Sequence, residues 1–174
     1  MEFRFETTYD QKGLTAMARA LRKTVRKKRS RRSRIFGWCV AALAVLLTAA
    51  ERMLKEPWTL RSTLNCAVAV TLIAILLTED QVNAFFAKKK LLPGTSFARS
   101  VFTEEGYTSV TEIAATEFHY EAVQQVCETA DYFVLLLSRQ HGQIYDKAAL
   151  SGGTAEEFRA FIAGKTGKPI AYIQ

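Results

Sequence analysis

Acidic side chains are missing from one long part of this chain. Between Gln11 and Ala50 there is no Asp or Glu, while the same stretch carries Lys12, Arg19, Arg22, Lys23, Arg26, Lys27, Lys28, Arg29, Arg31, Arg32 and Arg34. Taking those eleven positive charges from the formal net charge of +7 leaves the remainder at −4. The protein is mildly acidic with one intensely basic segment, whereas nucleic-acid binders carry basic residues through the folded part as well. The basic run also lacks interleaved aromatic side chains on which bases stack. Nucleic acid is therefore not expected as a partner. Cysteine is scarce too: Cys39 and Cys66 lie in apolar runs and Cys127 stands alone. That spacing excludes a disulfide framework and, with no CxxC or Cys/His cluster, a zinc site. No cofactor is expected. No cleavable signal peptide is read, because the first apolar run begins at Ile35 behind a long charged segment.

What the chain does have is two charge-free apolar runs. Ile35 to Ala50 reads IFGWCVAALAVLLTAA and Ser62 to Thr78 reads STLNCAVAVTLIAILLT. As helices rising about 1.5 Å per residue they span roughly 24–26 Å, a little short of a hydrocarbon core of about 30 Å. The first extends through Met53 and Leu54, and the second has Pro57 for a first helical turn. Leu64, Val68, Val70, Leu72, Ile73, Ile75, Leu76 and Leu77 favour insertion of the second run by about 2–5 kcal/mol together. Trp38 and Trp58 stand near run ends, where amphipathic rings prefer the interface. Core helices of a soluble protein would keep a polar stripe, and here Thr, Asn and Cys are all that is on offer. The basic collar before Ile35 and the triplet Lys88-Lys89-Lys90 flank the pair on one side. Lys and Arg thus put both termini in the cytoplasm and a short connector outside. The collar also attracts anionic headgroups. The expected membrane-surface contacts are Arg22, Lys23, Arg26, Lys27, Lys28, Arg29, Arg31, Arg32, Arg34, Lys88, Lys89 and Lys90. No ionisable residue sits within either run, which argues against an ion pathway through one copy.

Outside the runs, Phe3 and Phe5 alternate with charged residues as in a strand. Leu14, Met17, Leu21 and Val25 then fall on one helical face, with Asp10 placed to cap it. Two placements suit this basic helix: flat on the bilayer, or as an extension of the first span. Val82, Phe85 and Phe86 share a face of a helical exit that Pro93-Gly94 breaks. From Ser96 the texture is strand-like, with EEG a turn and QQVCET and DYFVLLLS flanking Ala130-Asp131 as a hairpin. Thr154 and Glu157 have capping-box spacing at the start of a last helix, with Phe158, Phe161 and Ile162 on its apolar face and Gly164 at its end. Residues 1–8 thus form a strand joining the later sheet, 9–34 a basic amphipathic helix, 35–54 and 62–78 the spans around a 55–61 loop, 79–93 the exit, and 94–174 a β domain.

This order of parts, with EEGYTSV, YEAVQQVCETADYFVLLLS and YDKAALSGGTAEEFRAFI, resembles the YcxB-like family of bacterial membrane proteins. Gly106, Val123 to Glu128, Tyr132-Phe133 and Lys147 carry the likeness, while His119-Tyr120 stands where the family often has a Trp-like aromatic. The resemblance implies an α+β fold: a two-helix transmembrane hairpin in a bacterial inner membrane, with a pleckstrin-homology-like antiparallel β domain in the cytoplasm closed by a C-terminal helix. It transfers no catalytic residue. The residues themselves offer little chemistry. Cys127 with a histidine is a nucleophile pattern, but a lone cysteine is commonly a small buried hydrophobe. Glu104-Glu105 suits a solvated turn and Glu156-Glu157 a first helical turn. Gly152-Gly153 lacks phosphate-loop spacing. The expected function is a non-enzymatic membrane module that presents its β domain to a protein, a peptide or a lipid headgroup. It would pack with copies of itself or with a membrane protein through Ala41, Ala42, Ala44, Ala67 and Ala69. The alternative is a subunit of a membrane-bound enzyme or transporter complex.

Overall fold

The computed structural model describes residues 2–55 and 57–173. The chain divides into two compact units, Met1–Arg26 with Asn83–Gln174, and Lys27–Val82.

The first unit is built from β1 (Phe3–Thr8), α1 (Gln11–Lys23), β2 (Phe97–Phe102), β3 (Tyr107–Val110), β4 (Ala115–Phe118), β5 (Gln125–Glu128), β6 (Tyr132–Leu136), β7 (Gly142–Asp146), β8 (Leu150–Ser151), α5 (Ala155–Thr166) and β9 (Ile170–Tyr172). α2 (Lys27–Met53) and α3 (Leu60–Leu77) form the second, and α4 (Glu79–Lys89) runs across the boundary between them. One sheet has the order β4-β3-β2-β1-β8 and the other β7-β6-β5-β9. β1 lies inside the first sheet, antiparallel to β2 and β8, with Phe3 opposite Phe102 and Phe5 opposite Ser100. Its alternation places Phe3, Phe5 and Thr7 inward.

Those phenylalanines belong to an aromatic core. Phe158 of α5 packs at 4.8–5.4 Å between ring centres against Phe3, Phe5, Phe102 and Phe133, in edge-on arrangements. Such pairs add about 0.5–1.5 kcal/mol each beyond the area they bury. The helix starts where Thr154 and Glu157 cap each other. It runs past Gly164 and ends at Gly167, whose φ of 62° is the left-handed C-cap. β9 then follows and pairs with β5 in parallel, Val126 opposite Ile170. The last helix therefore serves as a crossover that a parallel pairing requires, and it does not close the chain. One pairing in this otherwise antiparallel fold departs from the sequence expectation.

α1 explains why β6 reads as a continuous apolar run. Every residue of β6 is buried, because α5 and the first sheet cover one face and α1 covers the other. Ala20 and Leu21 pack with Cys127, Val134, Leu136 and Ile144 in a second core, joined by Met17 and Val25. The helix starts at Asp10, whose Oδ1 accepts from the Gly13 N–H at 2.7 Å. The expected basic helix over 9–34 is thus corrected. It breaks at Thr24–Arg26, its first part is a core helix rather than a surface one, and its remainder belongs to α2.

In the second unit, α2 and α3 run antiparallel. Lys27 to Arg34 continue without a break into the apolar part. α3 starts after Thr59, which caps Ser62 reciprocally, so Pro57 lies outside the helix rather than in its first turn. The inward positions on α2 are Gly37, Ala41, Ala44, Thr48 and Glu51, and on α3 Ser62, Asn65, Ala69, Leu72 and Leu76. Both sets step by alternate threes and fours, the spacing of a left-handed helix pair. Small residues let the backbones approach: a Cβ on Gly37 would stand 3.0 Å from Leu76 Cδ2. Most large apolar side chains outside this seam are exposed, including Phe36, Leu43, Leu46, Leu64, Val70 and Leu77. Both helices are long and apolar enough to cross a membrane, and 11% of each apolar window is buried.

Candidate functional site

Three arrangements concentrate charge, each centred on a glutamate. At the base of the helical pair, Ser30 Oγ donates to Glu79 Oε1 at 3.3 Å, and Arg34 Nε stands 3.9 Å from Glu79 Oε2. That second distance is an ion pair too long for a hydrogen bond, and Oε2 accepts none. At the far end, Glu51 Oε2 accepts from Ser62 Oγ at 2.5 Å, and Arg61 lies 3.8 Å from its other oxygen. A carboxylate therefore ties α2 to the start of α4 at one end and to α3 at the other. Between the ends, an apolar groove of about 260 Å³ is lined by Val45, Thr48, Ala49, Arg52, Cys66 and Ala69. The buried Nδ2 of Asn65, on the inward side of α3, has no hydrogen-bond partner.

The basic residues expected at a membrane surface fall into both units. Arg22 and Lys23 occupy the last turn of α1. Arg26 Nε donates to the Arg139 carbonyl at 2.5 Å, which ties the helix break to the β6–β7 turn. Lys27, Lys28, Arg29, Arg31 and Arg32 are exposed on the first two turns of α2, and Arg34 is the half-buried partner of Glu79. Lys88 and Lys89 end α4, with Lys90 just beyond, all exposed. Lys89 Nζ sits 4.5 Å from the centre of the Phe85 ring.

The third arrangement escaped sequence reasoning as a unit. Glu128, 4% exposed, accepts from Arg159 Nε and Nη2 at 2.8 Å each and from Lys147 Nζ at 2.6 Å. Lys147 also donates to the Thr129 carbonyl at 2.7 Å and lies over the Phe133 ring. The Arg159 hydrogen bonds, with Lys147 behind them, hold the Glu128 carboxyl below its ordinary value against the opposing effect of burial. β5, the turn after β7 and α5 are thereby locked together. Glu128, Phe133 and Lys147 are positions on which the family resemblance rests, and what they build is a structural clamp. Tyr120 anchors another turn in a similar way. Its hydroxyl donates to the Thr103 carbonyl at 2.6 Å and lies 3.1 Å from the Gly106 carbonyl, which fixes the β2–β3 turn. Gly106 is needed because a Cβ there would meet the Phe118 carbonyl oxygen at 2.8 Å.

The remaining candidates are not brought together. Cys127 is fully buried in the second core, and burial pushes its thiol up to about 11, the reverse of an activated nucleophile. His119 is exposed, and His141 Nδ1 pairs with Ser138 Oγ at 3.1 Å in the β6–β7 turn. Glu104 bridges to Lys165, Glu156 lies 3.7 Å from Arg159, and Glu157 caps α5. Gly152-Gly153 forms the turn into that helix, with Gly152 at φ 89°.

The class defined so far is an α+β protein that joins two β sheets to a pair of long apolar helices. Residues 102–162 match the family model described as YcxB-like protein, the family that the sequence layout resembles. The match runs from the end of β2 to Ile162 in α5 and includes Glu128, Lys147 and Arg159. No curated protein and no solved structure matches the chain.

Proposed function

We propose that this is a non-enzymatic integral membrane protein. Its two apolar helices cross the bacterial inner membrane as a hairpin, both termini lie in the cytoplasm, and a pleckstrin-homology-like domain is presented there to a protein, a peptide or a lipid headgroup. The observation that carries the membrane part is the exposure of α2 and α3. A soluble core helix hides most of its apolar surface, whereas these two leave nearly all of theirs uncovered. Orientation rests on the Lys and Arg excess at the α2 start and the α4 end over the connector. The presence of two packed sheets with a helix against their shared core supports the pleckstrin-homology-like reading. Ordinary positions for Cys127, the histidines and the paired glutamates favour a binding module over an enzyme.

The test is fractionation and a fusion reporter. The chain is expected to sediment with membranes, to resist alkaline extraction and to require detergent for dispersal. A reporter active only in the cytoplasm, fused after Gln174, is expected to work. A chain that stays monodisperse in detergent-free buffer would remove the membrane reading.

A further inference from the structure

α4 is amphipathic in an unusual sense. Ala84 is buried, while Phe85 and Phe86 project outward at 48% and 55% exposure, packed edge-on against each other with ring centres 5.8 Å apart. The next turn adds exposed Lys88, Lys89 and Lys90, and the following loop adds Leu92 at 65% exposure. That loop is held against the β3–β4 turn. The Glu112 N–H donates to the Gly94 carbonyl at 3.2 Å, and a Cβ on Gly94 would meet Ile113 Cγ2 at 2.8 Å. The turn brings a further exposed apolar side chain, Ile113 at 58%, and β3 ends in Val110 at 44%. Glu112 beside Ile113 is exposed and tempers the positive charge at this tip. Large apolar side chains exposed along residues 85–92 and on the turn that the following loop meets, with lysines among them, are costly in water and need a cover.

We infer that this stretch, Phe85, Phe86 and Leu92 with the Ile113 tip, is a wedge by which the β domain docks onto an anionic bilayer surface. The inference rests on the membrane reading above and goes beyond it, since that reading tethers the domain without fixing which side of it meets lipid. Three features select lipid as the occupant. α4 begins at Glu79, directly after the Thr78 cap of the apolar helix α3, so the wedge is delivered to the interface by covalent continuity. The lysine triplet complements anionic headgroups. A side chain such as Lys89 stacked on Phe85 suits the boundary where ring and ammonium both find partners.

The experiment uses the full chain reconstituted in phosphatidylcholine–phosphatidylglycerol vesicles, with bromine on the lipid tails as a contact quencher of tryptophan. Ile113→Trp and Phe86→Trp are each made in a W38F/W58F background, and a third protein keeps Trp38 alone. Both sites are exposed, so the larger ring is accommodated without disturbing the core. Expected is strong quenching of all three, with shallow bromines more effective than deep ones at 113 and 86. Quenching of Trp38 without quenching at Ile113→Trp overturns the docking inference and leaves the membrane reading standing. Absence of quenching at Trp38 defeats the membrane reading and the inference with it. Changing Lys88, Lys89 and Lys90 together to Gln is expected to cut quenching at Ile113→Trp several-fold while Trp38 is unaffected. Indifference to the triplet would contradict the lipid as the partner that charge selects.

Discussion

Glu128 is the residue on which the β domain's acid stability turns. Its folded carboxyl is held below its ordinary value, so by linkage the clamp contributes stability above about pH 4.3, the unfolded value, and loses it as pH falls through the folded one. Urea unfolding in mild detergent, followed through the aromatic core, is expected to show wild type weakening below that pH, with Glu128→Gln changing far less over the same range. At neutral pH, Glu128→Ala is expected to cost about 2–4 kcal/mol, because it strands two cations against a buried pocket. The figure is set toward the lower side because Lys147 and Arg159 side chains are 19% and 29% exposed. Gly152 makes the second demand at this scale. Its φ of 89° suits glycine, and an added Cβ would stand 2.2 Å from the Glu2 carbonyl oxygen. Gly152→Ala is expected to destabilise by about 2–3 kcal/mol or more, seen as a lowered Tm of the β domain. Of these residues, Lys147 was legible only through the family likeness, and Arg159 not at all. Nothing in AEEFRAFI says that its arginine folds back onto a glutamate thirty-one positions earlier, because such pairing depends on tertiary approach.

Elements were legible where the local signal was strong. Alternation at Phe3 and Phe5, the Thr154–Glu157 cap and the aliphatic run after Asp131 each correspond to a strand, a helix start and a strand in the structure. α1 shows where local reading stops. A basic helix with a clean apolar face reads the same whether it meets lipid or a sheet, and only the second core around Ile144 decides it. Basic residues on its far side then need no membrane to explain them. The extent of α2 was hidden for a related reason: a switch from charge to hydrocarbon at Ile35 is a change of solvent, not of backbone. Between α2 and α3 the seam is regular. Each step forward from Arg34 to Gly37 to Glu51 is matched by a step back from Glu79 to Leu76 to Ser62, and Ala44 faces Ala69 in the same register. Gly37→Val is therefore expected to force Leu76 aside and weaken the pair by about 1–3 kcal/mol, measured as a lower detergent-resistant Tm. Phe36→Val, on the exposed side, is expected to be nearly neutral.

For the whole molecule, the account depends on where its apolar surface is solvated. The first unit hides most of its large side chains in two cores, outside the α4 stretch and the β3–β4 tip, and the second leaves most of its own exposed. That contrast is what the proposed hairpin requires of one chain, water for the sheets and lipid for the two apolar helices. The YcxB-like match covers part of the first unit and none of the apolar helices α2 and α3, so the membrane reading stands on physical grounds. The most direct measurement is labelling with a membrane-impermeant maleimide in intact cells, on chains whose own cysteines are replaced by serine or alanine. Leu54→Cys, at the end of the first apolar helix, is expected to be modified in intact cells, and Ser96→Cys, before β2, only after the membrane is opened. Labelling of both positions in intact cells, or of Ser96→Cys alone, would contradict a hairpin that keeps the β domain inside.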